Sequence, residues 1–147
     1  SDADGARRVA GAGVGGLIDP AAALDLGNSG TAARLLIGLA ASHPIRAVFT
    51  GDASLRRRPM DRIAAPLRRI GARIDADRLP LTVEGMAAAI PARHRPAVPS
   101  AQVKSALLLA GLNAPGITEV VEAAPTRDHL ERLLERFGAE IEGITCP

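Results

Sequence analysis

The stretch Arg69-Ile70-Gly71-Ala72-Arg73-Ile74 returns as Arg136-Phe137-Gly138-Ala139-Glu140-Ile141, and this echo decides how the chain is read. Each copy ends a helical pattern on glycine and passes into a strand-like one. Upstream, Ser29 stands opposite Ser100 at nearly the same spacing, each before a run suited to a helix. Self-similarity over such a distance points to internal duplication of one α/β unit. Glycine ends of helices are common, so a chance match of α/β rhythm is the competing explanation.

Working outward, Gly27-Asn28-Ser29 is a helix-start signal, and the pattern predicts a helix from about Gly30 to Ser42. Before it, Arg8 to Ala10 reads as a short extended piece and Leu17 to Leu26 as strand and loop. Arg46 to Thr50, rich in β-branched and aromatic residues, predicts a strand, and Gly51 to Arg58 a polar, arginine-rich loop. Pro59 suits a first helical position, and Ile63, Pro66, Leu67 and Ile70 recur at helical spacing up to Gly71. Short strands near Ala72 to Asp75 and Leu81 to Glu84 close this unit. After the loose Ala87 to Pro96 stretch, the order repeats: helix from about Ala101 to Leu112, strand Thr118 to Glu122, helix Arg127 to Phe137, strand Ala139 to Glu142. The expected division is the end of a preceding unit over 1–21, a first complete unit over 22–86, and a second over 87–147 that can be cut short at its end.

A chain of 147 residues, 47% hydrophobic and 23% charged, is one domain's worth of ordinary core-forming sequence. Phe49 and Phe137 are its only aromatic residues, so the core must come from Leu, Ile, Val and much Ala, and close helix packing is expected. The formal charge of +2 is too small for broad attraction to nucleic acid or membrane, so any anion binding must be local. Base stacking would need aromatic platforms that the chain lacks. Lys104 is the single lysine against many arginines, and its rarity alone assigns it no role. The single cysteine, Cys146, builds no internal disulfide framework or cysteine metal site, and a cytoplasmic setting is expected. No apolar run approaches the ~18 residues of a membrane span, and no secretory leader is recognised. Ser1 to Gly5 reads as a cloning remnant or an ordinary loop.

Four places invite chemistry, each at a predicted helix start: Asn28-Ser29-Gly30-Thr31, Arg56-Arg57-Arg58-Pro59, Pro99-Ser100-Ala101-Gln102 and Thr126-Arg127-Asp128-His129. Helix N-termini present unpaired N–H groups and the positive end of the dipole, so they take phosphate and carboxylate readily. Gly30 permits close approach to the backbone, Thr31 offers a hydroxyl, and Arg34 follows one turn on. The arginines at 56 to 58 supply planar forks for phosphate oxygens. Ser100 and Gln102 suit a hydroxyl-bearing ligand, and Arg127 opposes its helix dipole unless an anion is present. Taken alone, the first three places are better explained without a ligand, as capped helices or a solvated arginine loop, while Arg127 is the more suggestive residue. His43 and His94, in loops near proline, are expected to face solvent, while His129 could share a ligand with Arg127. No metal-ligand spacing, phosphate-binding Gly-Lys-Ser/Thr loop or nucleophile elbow is present, and Asp52 and Glu122 have no recognisable partner.

Taken in order and spacing, four motifs resemble the 5-enolpyruvylshikimate-3-phosphate synthases. They are Leu26-Gly27-Asn28-Ser29-Gly30-Thr31-Ala32-Ala33-Arg34, then Gly51-Asp52-Ala53-Ser54-Leu55-Arg56-Arg57-Arg58-Pro59-Met60, then Ser100-Ala101-Gln102-Val103-Lys104-Ser105-Ala106, and Thr126-Arg127-Asp128-His129. The likeness runs from about Val14 to the end. It implies an α/β fold of repeated βαβαββ units, the type shared with RNA 3'-phosphate cyclases, with this chain forming part of one lobe. It also implies transfer of the enolpyruvyl group from phosphoenolpyruvate to shikimate 3-phosphate, the shikimate-pathway step before chorismate and the aromatic amino acids. No cofactor or metal is expected. The resemblance places Gly30, Thr31, Arg58 and Gln102 at phosphoenolpyruvate, and Ser100, Ala101, Gln102 and Arg127 at shikimate 3-phosphate. Gly30 implies that the whole enzyme is open to glyphosate.

Two departures stand out. Ala101 replaces a second serine found in other members, and Arg127 is expected to compensate. The family's N-terminal Lys-Ser anion loop and its second lobe, which carries the acid/base carboxylates and lysine, have no counterpart here, so the chain alone is expected to be inactive and to need the other lobe as its partner. UDP-N-acetylglucosamine enolpyruvyl transferase is the rival within the fold, but the reactive cysteine it usually carries between positions matching Gly51 and Pro59 is missing. A non-catalytic anion-binding module is the alternative of another class.

Overall fold

The computed structural model describes residues 8–13 and 15–143; Ser1 to Gly5 and Cys146 lie outside them. The first half of the chain forms strand β1 (Leu24–Asp25), helix α1 (Gly30–Ala41), strand β2 (Arg46–Thr50), helices α2 (Ala53–Arg57) and α3 (Asp61–Arg69), and strands β3 (Arg73–Ile74) and β4 (Leu81–Glu84). The second half adds β5 (Arg93–His94), α4 (Ala101–Gly111), β6 (Glu119–Val120) and α5 (His129–Arg136). The βαβαββ order is complete once, with α2 inserted, and begins again as βαβα.

In the four-stranded sheet the order is β1-β2-β4-β3. β1 runs parallel to β2, so α1 is the crossover of a βαβ unit, and β4 returns antiparallel between β2 and β3. Alternation decides which face is buried: Ala47 and Phe49 on β2 face inward, and their register partners Val83 and Leu81 on β4 do the same. α1 packs on β2 and β4, and α3, with Ile63, Ala64 and Leu67 buried, packs beside it against β3. A second parallel pair, β5 and β6, is joined by α4 in the same way.

The two crossover helices pack directly on each other. Ala33, Ile37, Ala40 and Ala41 of α1 and Val103, Ala106, Leu107 and Ala110 of α4 belong to one buried cluster. Small side chains bring the backbones close, and Gly38 lies against the main chain of Ala106. Along both helices the contacts follow the same order: Gln102 on Thr31, then Ala106 on Gly38, then Asn113 on Ser42. α1 and α4 are therefore parallel, with their N-termini at one end. The first and last of these pairs are each 71 residues apart, the same offset that separates Ser29 from Ser100. Duplicated positions thus meet each other across the helix pair.

Several local expectations give way. Arg8 to Ala10 forms no strand, and strand structure between Leu17 and Leu26 is confined to β1. The predicted loop from Gly51 to Arg58 contains α2, because the Asp52 carboxylate caps it by accepting from the Leu55 N–H at 2.7 Å. Arg56 and Arg57 therefore sit in a last turn, with Arg58 as the C-cap, rather than at a helix start. Pro59 does not open α3, which begins two residues on after Met60, whose N–H is taken by the Asp77 carbonyl at 2.8 Å. The Ala87 to Pro96 stretch contains β5. The last helix starts at His129 rather than Arg127, leaving Thr126 and Arg127 in the loop before it. Residues 139–143 carry no strand, since none among the described residues pairs with them as β4 pairs with β3.

Candidate functional site

Ser29 closes the N-terminus of α1, its hydroxyl accepting from the Ala32 N–H at 3.2 Å, and Ser100 does the same for α4 with the Val103 N–H at 3.4 Å. Parallel packing sets these two starts side by side. The Gln102 amide bridges them by donating to the Thr31 hydroxyl at 2.8 Å. That hydrogen bond is solvent-exposed and leaves Gln102 and Thr31 with further polar capacity.

The arginine edge beside these helix starts is built by α2 and the turn after it. Arg56 is tied back by its Nε to the Gly51 carbonyl at 2.7 Å and by Nη2 to the Thr50 hydroxyl at 3.0 Å. The Arg57 main-chain carbonyl accepts from the Arg78 guanidinium. Arg58 is left to reach the start of α1, where its Nη2 donates to the Asn28 side-chain carbonyl. Arg34, one turn into α1, donates to the Gly30 carbonyl at 3.0 Å and the Pro59 carbonyl at 3.2 Å, joining the two segments. Gly30 matters here sterically: a Cβ on it would lie 2.9 Å from Nη1 of both Arg34 and Arg58. Burial pushes the Arg34 guanidinium below its ordinary pKa, and the charges of Arg58 and Arg62 add to this while Asp61 opposes it. This corner holds excess positive charge and would welcome an anion.

Of the sequence-predicted residues, Gly30, Thr31, Arg58, Ser100, Ala101 and Gln102 are thus drawn to one end of the helix pair. Arg127 is exposed on the loop between β6 and α5 and makes no hydrogen bond or ion pair with them among the described residues. His129 is exposed in the first turn of α5. His43 and His94 are both buried, contrary to expectation: His43 Nδ1 lies 2.9 Å from the Leu39 carbonyl, and His94 is 4% exposed.

Sequence reasoning passed over a buried ion cluster. Lys104 Nζ lies 2.8 Å from Glu122 Oε2 and 2.6 Å from Glu131 Oε1, with the three side chains 10%, 11% and 17% exposed. Glu122 is thus far from partnerless, and its other oxygen accepts from the Thr126 hydroxyl at 2.7 Å. Burial alone would lower the Lys104 pKa, but the hydrogen bonds and charges of Glu122 and Glu131 outweigh it and hold the ammonium above its ordinary value. A lone lysine on an apolar helix face was the available signal, since a buried ammonium requires a counter-charge. Among the described residues no group of three or more His, Cys, Asp or Glu side chains is arranged to hold a metal ion. No described helix is long and apolar enough to cross a membrane.

Comparison with known proteins bears on the family and the fold. The family model of EPSP synthase (3-phosphoshikimate 1-carboxyvinyltransferase) matches residues 2–146. The 3-phosphoshikimate 1-carboxyvinyltransferase of Novosphingobium aromaticivorans is 59% identical over 143 residues, covering 95% of this chain and 32% of that protein. The protein of the same description from Acidiphilium cryptum is 62% identical over 141 residues, covering 94% of this chain and 32% of its own length. A solved EPSP synthase from Acinetobacter baumannii superposes with a TM-score of 0.83 at 46% identity, covering 86% of this chain and 29% of that one. The chain spans about a third of the length of these relatives. Its fold is that of part of one lobe of such a protein, and the chain belongs to the EPSP synthase family.

Proposed function

We propose that the chain supplies one substrate-binding face of an enzyme that moves the enolpyruvyl group of phosphoenolpyruvate onto the 5-hydroxyl of shikimate 3-phosphate, with release of phosphate, in the cytoplasm. The observation that carries this reading is the Gln102 to Thr31 hydrogen bond, which joins two parallel helix starts beside Arg34 and Arg58. Both substrates are polyanions, and their charge persists while the new bond forms. Fixed N–H and guanidinium donors can hold both and remove the orientational cost of bringing them together.

In this arrangement Gly30, Thr31 and Arg58 receive phosphoenolpyruvate, Arg58 on its phosphate. Ser100, Ala101, Gln102 and Arg127 receive shikimate 3-phosphate, with Gln102 between the two. Ala101 has no hydroxyl, so Arg127 provides the missing phosphate contact. The division into units at residues 22–86 and 87–147, after the end of a preceding one at 1–21, makes each crossover helix the anion-gripping element of its own unit. Acid/base groups for proton transfer come from the rest of the enzyme, so the isolated chain binds weakly and does not turn over.

Titration of the 147-residue chain with shikimate 3-phosphate, followed by NMR, tests the binding face. Shifts should cluster at Ser100, Gln102 and Arg127, and their absence at high ligand would reject the reading. In the whole enzyme, Arg58→Ala should raise KM for phosphoenolpyruvate far more than that for shikimate 3-phosphate.

A further inference from the structure

Lys104 is the least expected residue of α4. Its neighbours on the helix, Val103, Ala106 and Leu107, are core residues, and an apolar side chain of similar volume in place of a buried ion pair is commonly neutral or stabilising. Fold stability alone therefore does not explain an ammonium with two carboxylates here. What the cluster does achieve is geometric. Glu122 follows β6, Glu131 lies in the first turn of α5, and Lys104 pins both to α4 two residues past Gln102.

The segment between these carboxylates is the loop that carries Arg127. Thr126 draws it in further, since its hydroxyl donates to the Glu122 oxygen that Lys104 leaves open. The loop is thus held at both ends and near its middle, all relative to the helix whose start carries Ser100 and Gln102.

We propose that Lys104 is a positioning residue for Arg127: the Lys104–Glu122–Glu131 cluster fixes the 122–131 loop so that the Arg127 guanidinium serves the phosphate at the start of α4. The lysine touches no substrate. It substitutes for local capacity lost at Ala101 by making an otherwise free arginine available at a fixed place. An exposed arginine on an untethered loop would have to be ordered at the moment of binding, and that entropy would be subtracted from affinity. This rests on Arg127 being an anion ligand, as proposed above.

A double-mutant cycle on the 147-residue chain, read as the Kd for shikimate 3-phosphate by NMR, tests it. Arg127→Ala should weaken binding by about tenfold, the scale of one charge-assisted contact. Lys104→Met should do nearly the same, and K104M/R127A should bind no more weakly than R127A alone. A purely structural role for Lys104 predicts instead that the two losses multiply, and that result overturns the proposal while leaving the binding face intact. If R127A binds as the parent does, both the role of Arg127 and the positioning proposal fail. Should K104M not fold, Glu131→Gln serves in its place: it removes one carboxylate charge, keeps the Glu122 pair, and should show the same lack of additivity with R127A. Multiplying losses in that second cycle would overturn the proposal equally.

Discussion

The main chain of Ala106 occupies the space that a Cβ on Gly38 would need, with the Ala106 Cα 2.8 Å from that position. Because the obstacle is backbone, it cannot swing aside as a side-chain tip would. Gly38→Ala should therefore force α1 and α4 apart and destabilise the fold by about 1–3 kcal/mol, the usual cost of overpacking. Thermal unfolding measures the loss. NMR shifts at Thr31 and Gln102 should accompany it, since the bridge between the helix starts depends on that spacing; an unshifted Gln102 would argue against this coupling.

Gly30→Ala presents the opposite case. The added methyl meets only the guanidinium tips of Arg34 and Arg58, at 2.9 Å each, and these can move. Alanine also suits the first turn of a helix at least as well as glycine. The Tm should change little, while the displaced arginines raise KM for phosphoenolpyruvate in the whole enzyme. Inhibition by glyphosate should weaken as well, which inhibition curves of both forms would show.

Asp52 caps α2, and α2 delivers Arg58. Asp52→Ala removes a charge-assisted cap from a five-residue helix and should cost about 0.5–2 kcal/mol by thermal unfolding. If α2 frays, Arg58 loses its fixed origin. Phosphoenolpyruvate KM in the whole enzyme should then rise, though less than in Arg58→Ala.

His94 predicts a pH effect on stability. Burial lowers its pKa from the ordinary value of 6.5, and the charge of Arg69 lowers it further. The unfolded chain thus takes up the proton more readily than the folded one. Stability from neutral His94 is full above about pH 6.5 and is lost as pH falls toward the depressed folded value. His94 Nε2 has no partner among the described residues, so His94→Phe should be tolerated near neutrality and should flatten this acid-side loss. Unfolding curves at about pH 7.5 and pH 5 compare the two.

The elements most readable from sequence were those fixed by local pattern. β2 and β4 follow from β-branched and alternating residues, and α1 and α4 from Ser29 and Ser100, whose hydroxyls do cap them. The misread pieces depend on distant partners. α2 needed recognition of Asp52 as a cap, and Arg127 needed the knowledge that α5 begins two residues later. Burial of His43 and His94 arises from packing that no short window encodes. The role of Lys104 is not legible locally because its two carboxylates, Glu122 and Glu131, are distant from it in sequence and meet it only in the fold. The adjacency of the helix starts comes from the parallel packing of α1 on α4, which no local pattern encodes.

Parallel neighbours also have an electrical consequence. Each helix start carries roughly half a positive charge, so setting α1 and α4 alongside one another places like poles together, with Arg34 and Arg58 beside them. Unliganded protein must bear that repulsion, and a simple inorganic anion can relieve it. The choice of buffer salt should therefore alter the melting temperature: sulfate or phosphate at a given ionic strength should protect the chain more than chloride does, by mass action at this corner.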